Sequence, residues 1–101
     1  MSEPGLAASG DGRWTLSGAL DFSTVPDLWS ALERLMNDNS ELTLSLAGVS
    51  RSNSAGLVML VEAQGLARGG ACRLQLVDIP AELHDLADMS GCEHLLDAGS
   101  R

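Results

Sequence analysis

The sequence contains no lysine and no tyrosine, and aromatic residues make up only 3% of it. A core built on stacked rings is therefore excluded, and leucine, valine, alanine and methionine must fill it. All basic side chains are arginines: Arg13, Arg34, Arg51, Arg68, Arg73 and Arg101. Against 14 acidic residues they leave a net charge of −8. An acidic surface without a basic cluster argues against nucleic acid and anionic membranes as direct ligands. No apolar run approaches the roughly 20 residues that span a bilayer. Residues 1–5 have neither a basic n-region nor an apolar h-region, so no signal peptide is expected and the chain is expected in the cytoplasm. Cys72 and Cys92 would then be reduced thiols, and two cysteines do not make a disulfide framework.

What is present is enough for one domain. Hydrophobic residues account for 45% of 101 positions, which suits a single core. There are no internal repeats. Residues 1–5 read as a flexible tail and 6–98 as the domain. Residues 6–8 suggest a short strand, and Ser9-Gly10-Asp11-Gly12 a turn. Arg13-Trp14-Thr15-Leu16-Ser17-Gly18 alternates, which makes 6–17 a hairpin. A helix follows, with Ser23 or Thr24 as cap and Pro26 in its first turn. Its apolar stripe is Leu28, Leu32, Leu35 and Met36; Trp29 lies on the stripe's edge. Residues 37–40 stop it. Leucine alternates with small residues over 42–47, the period-2 signal of a strand. A second helix runs from about Ser54 to Ala67 and ends at Gly69-Gly70. Residues 71–77 alternate again. Asp78-Ile79-Pro80 opens a third helix through about Met89, and residues 92–96 form a last short strand or turn. The order β-β-α-β-α-β-α predicts a mixed α/β sheet of four to five strands with helices packed on it. Leu44, Leu46, Leu57, Leu60, Val61, Leu74 and Leu76 are expected in the core.

The most specific stretch lies between the third strand and the second helix. Ser50, Ser52, Asn53 and Ser54 can each accept a hydrogen bond from a free N–H group at the helix start. Hydroxyls gathered at the positive end of a helix dipole also suit a phosphate, a phosphorylatable serine or a partner loop. Arg51 beside them can form a bidentate pair with a partner carboxylate. Val58, Met59 and Glu62 continue the same surface one turn on. Trp29 and Met59 fit either a partner anchor or the edge of the core.

Other chemistry finds little support. Cys72, Cys92, His84 and His94 do not have the spacing of a closed zinc site, and no metal or cofactor is expected. Ser54, His84 and Asp85 can be arranged as a triad on paper. However, Asn53-Ser54-Ala55-Gly56 is not a nucleophile elbow, and no oxyanion loop accompanies it. The glycines between 65 and 70 end a helix and do not open one, so they are no phosphate loop. The chain is expected to be no enzyme.

Asn53-Ser54-Ala55-Gly56-Leu57-Val58-Met59-Leu60, after a leucine-rich strand, resembles the Asp-Ser-(Ser/Ala)-Gly-Leu segment of STAS domains. That family includes anti-sigma factor antagonists and the small STAS subunit of the Mla phospholipid-transport system. The resemblance extends from about Gly12 to Leu96. It takes in Leu16-Ser17-Gly18-Ala19-Leu20-Asp21, the Leu28-Trp29 pair, and Gly70-Ala71-Cys72-Arg73-Leu74. The Leu-Trp pair and the Ala after Ser54 look most like the MlaB or toluene-tolerance type. The resemblance implies a STAS-like α/β fold and a non-catalytic cytoplasmic subunit that binds the ATPase of a lipid ABC transporter. Such a subunit meets the membrane only through that partner. The implied partner-binding residues are Arg51, Ser52, Asn53, Ser54, Val58, Met59 and Glu62. The alternative it implies is an anti-sigma factor antagonist, phosphorylated at Ser54 by a partner kinase. Asn53 stands where the antagonists carry Asp, which weighs against that switch.

Overall fold

The computed structural model describes residues 5–10, 12–70 and 72–91. Among them the chain runs β1 (Leu6–Gly10), β2 (Arg13–Leu20), α1 (Val25–Asp38), β3 (Glu41–Ser52), α2 (Ser54–Arg68), β4 (Arg73–Val77) and α3 (Ala81–Met89). The strands form one mixed sheet in the order β1-β2-β3-β4. β1 pairs antiparallel with β2, Leu6 opposite Leu16. β2 with β3, and β3 with β4, are parallel. Each parallel pair is joined through a helix, as a parallel crossover requires. Gly12 makes the β1–β2 turn at φ +66°, a left-handed conformation that costs glycine little.

Alternation sends Leu42, Leu44 and Leu46 of β3, and Leu74 and Leu76 of β4, to one face of the sheet, where all five are buried. Leu28, Ala31, Leu32 and Met36 of α1 and Leu57, Leu60 and Ala63 of α2 close over that face, together with Leu83 and Ala87 of α3. Thr15, Thr43, Ser45 and Gln75 lie on the opposite face of the strands and are only half-buried. The expected core holds at six of its seven positions. Val61 is the exception: it is half-buried and packs against the core from its margin.

Two local expectations need correction. The polar stretch after residue 47 is not a turn, because β3 continues to Ser52. Its backbone groups stay in the ladder with β2, where Gly48 pairs with Ser17 and Ser52 with Leu20. That pairing satisfies donors and acceptors that buried backbone cannot leave open, and it overrides the loss of apolar alternation. Thr24 occupies the α1 N-cap position but makes no side-chain cap bond. Its hydroxyl instead donates to the Ala19 carbonyl, 2.8 Å away. α2 ends where expected: Gly69 is its C-cap, and Gly70 takes the left-handed conformation at φ +97°. The short element expected at 92–96, with Cys92 and His94, lies outside the described residues.

Candidate functional site

Parallel strands bring their carboxyl ends to one edge of a sheet, and the helices that follow begin there. In open α/β sheets ligands gather at that edge. Here β2 and β3 end side by side, with Leu20 paired to Ser52 and the Asn53 N–H donating to the Leu20 carbonyl at 3.0 Å. The segment Asp21–Thr24 leads into α1, and Asn53 leads into α2. The first turn of α3 arrives from the other side, where the Glu82 carboxylate accepts the Ser52 N–H at 2.6 Å. Leu20, Asp21, Arg51, Ser52, Asn53 and Glu82 together line a shallow cleft.

Asn53 is the cap of α2. Its backbone is extended, and its side-chain oxygen accepts the Ala55 N–H at 2.9 Å. That leaves Ser54, the first residue of the helix, exposed. Arg51 and Glu62 are also exposed, and Val58 is 58% exposed. Two expected surface residues belong elsewhere. Ser52 ends β3, is buried, and turns its hydroxyl to the Asn53 carbonyl at 3.1 Å. Met59 is 2% exposed and joins the core. The reason is that α2 packs against α1 as well as the sheet, which widens its buried arc. Met59 thereby becomes the floor of a groove whose walls are Val25, Pro26, Trp29 and Val58, with Glu62 at the rim. Trp29 is half-buried and packs against the edge of the core.

Asp21 organises the α1 side. One of its oxygens accepts from the Ser23 hydroxyl at 2.6 Å, the Ser23 N–H at 2.9 Å and the Thr24 N–H at 3.1 Å. These bonds, led by the Ser23 hydroxyl and joined by the positive charge of Arg51, hold the carboxyl below the usual carboxylate range. Binding of the ionised form therefore favours the folded state. The resulting stability is present above the unfolded pKa and disappears as pH falls through the lower folded pKa. Asp21→Asn keeps an acceptor for both N–H groups but removes the charge. Its melting temperature is expected to fall below wild type at neutral pH, with the difference closing below about pH 4. A difference that stayed constant between pH 7 and pH 3 would show that the charge has no part in it.

Burial pushes the Cys72 thiol up, with the Glu41 charge adding to the effect, so it is a poor nucleophile. Among the described residues no three metal-ligating side chains cluster, and His84 is half-buried within α3. No helix among them is long and apolar enough to cross a membrane. Glu82 was not legible as a site residue, and Phe22 was not legible as an exposed aromatic. Glu82 reads as an ordinary acid in a first helical turn, and its bond reaches back 30 positions. Phe22 is 75% exposed, and its only signal is an aromatic ring inside a polar turn.

A protein-family model described as "Mlab, STAS domain" matches residues 6–97. No curated protein sequence matches the chain. One similar solved structure is "Structure of the Anti-Sigma Factor Antagonist SpoIIAA in its Unphosphorylated Form", at 15% identity and a TM-score of 0.66. The match covers 87% of this chain and 80% of that one. Another is "Crystal Structure Analysis of Mglu", at 21% identity and a TM-score of 0.60, covering 77% of this chain. The chain spans only 20% of that protein. At these identities the likeness is one of fold.

Proposed function

The chain belongs to the MlaB-type STAS domain family, and from that premise we propose that it is a non-catalytic cytoplasmic subunit that binds and supports the ATPase of a Mla-type phospholipid ABC transporter. STAS domains are generally regulatory or binding domains without catalysis. The observation that carries the reading is the entry of α2. There Arg51 and Ser54 are exposed at a frame fixed by Asn53 and Glu82, and the exposed Val58 and Glu62 follow Ser54 at steps of four residues on α2. Arg51 and the Ser54 hydroxyl supply donors for a partner's carboxylates and carbonyls. Val58 supplies apolar area. Ser52, Asn53 and Met59 hold this surface from beneath.

Arg51→Glu is expected to weaken capture of the ATPase on the order of tenfold or more by charge reversal at a contact. Its melting temperature should fall only slightly, because Arg51 is exposed and is the smallest of the contributions that favour the Asp21 carboxylate. Arg73→Glu, on β4, is the matched control. Pull-down of the co-expressed ATPase, with a thermal melt of each variant, makes the measurement. Equal capture by Arg51→Glu and wild type, or weaker capture explained by unfolding, would remove this surface from consideration.

The second reading is an anti-sigma factor antagonist phosphorylated at Ser54. The exposed Ser54 hydroxyl favours it, since a kinase needs an accessible acceptor. Asn53 in place of an acidic residue disfavours it. Incubation with an anti-sigma factor kinase and ATP separates the two. Phosphate transfer that is lost in Ser54→Ala would support the switch, and ATPase capture without such transfer supports the transporter.

A further inference from the structure

We propose that the groove between α1 and α2 seats a basic amphipathic helix of the partner, an inference that rests on the docking reading above and gives the chemistry of what docks. Single exposed apolar residues are ordinary on a protein surface. These converge. Val25, Pro26 and Trp29 form one wall, Val58 the other, and the buried Met59 the floor. Phe22, 75% exposed, precedes the same end of α1. A trough between two packed helices, with apolar walls, fits a third helix that presents an apolar stripe of its own.

Charge selects the occupant. Residues four apart share a helix face. On α1 that rule carries Trp29 to Glu33, and on α2 it carries Val58 to Glu62, both exposed. Each apolar wall therefore gives way, one turn on, to a glutamate. A second copy of this chain, at net charge −8, would bring acid against acid. An anionic membrane would be repelled likewise. A helix with leucine-like residues along one stripe and lysine or arginine beside it satisfies both the floor and the rim.

The test uses the full chain with Trp14→Phe, which leaves Trp29 as the sole indole. The probe is a synthetic leucine–lysine amphipathic helix of roughly five turns. Its leucine–glutamate counterpart and phosphatidylcholine vesicles are the controls. Trp29 emission is expected to shift and saturate with the basic peptide alone, and the affinity to fall with salt. Val58→Asn, which changes no charge, should lower the affinity on the order of tenfold. Glu33→Gln with Glu62→Gln should do the same, while Glu41→Gln with Asp88→Asn, the same change in net charge elsewhere, should not. The proposal is overturned by no shift, by an equal response to the acidic peptide or to vesicles, or by equal losses in both acidic pairs. Concentration-dependent dimerisation that buries Trp29 overturns it too. ATPase capture retained in Val58→Asn would reject the groove and leave the transporter standing. Peptide binding by a chain that captures no ATPase would support the groove and count against the transporter.

Discussion

Leu60→Ala is expected to lower the unfolding free energy by about 2–5 kcal/mol, the usual cost of truncating a buried leucine. Leu60 has no exposed surface. It lies in the core on α2, the helix that packs against β3, β4, α1 and α3, so its truncation would leave a cavity in the shared core. Collapse around it is limited, because the core it belongs to is built of side chains held on the sheet and helices. Small domains hold about 5–15 kcal/mol in total, so one such cavity removes a large share. Urea denaturation should show a lower midpoint with an unchanged slope. Val58→Ala, two residues away on the exposed side, should change stability by no more than about 0.5 kcal/mol. A Leu60→Ala cost below about 1 kcal/mol would mean that the inner face of α2 is not packed as described.

That contrast within one helix illustrates what local sequence can encode. Leu44, Leu46, Leu74 and Leu76 were legible because a sheet buried on one face imposes a strict period of two. Helix starts were legible at Pro26, Pro80 and the Asn53–Ser54 step, where capping chemistry is local. The assignment of Met59 to the surface and of Val61 to the core failed for a tertiary reason. The sequence of α2 specifies an apolar face, but the position of α1 decides how far burial extends around it. The same holds for β3. Nothing in Gly48-Val49-Ser50-Arg51-Ser52 alternates, yet pairing with β2 keeps it extended. The bond between Ser52 and Glu82 joins two segments that no short pattern connects. The candidate surface was thus found through its cap and its family resemblance. Its frame, from β2, α1 and α3, became visible only in three dimensions.

Gly56→Ala is the sharpest test of that frame, because two effects of opposite sign meet at one position. In a helix, alanine is favoured over glycine by about 1 kcal/mol. At Gly56, however, an added Cβ would lie 2.7 Å from the Leu20 Cβ and 3.2 Å from its Cδ1, and would also meet the Ser52 hydroxyl. The Leu20 Cβ is the root of a side chain with no exposed surface. Its backbone is held by pairing with Ser52 and by the Asn53 N–H, so it cannot retreat by a rotamer change. The first turn of α2 must lift instead, at an overpacking cost of about 1–3 kcal/mol, occasionally more. Loss is expected to exceed gain, and the lifted turn would carry Ser54, the first residue of α2, out of place. Gly65, on the same helix, is the control. A Cβ there meets nothing within 4 Å, so Gly65→Ala should stabilise by up to about 1 kcal/mol. Urea denaturation of the two variants measures the difference, and capture of the proposed ATPase partner well below the Gly56→Ala melting temperature reads the displaced surface. If both substitutions stabilise alike, β2 and α2 do not meet as closely as this frame requires.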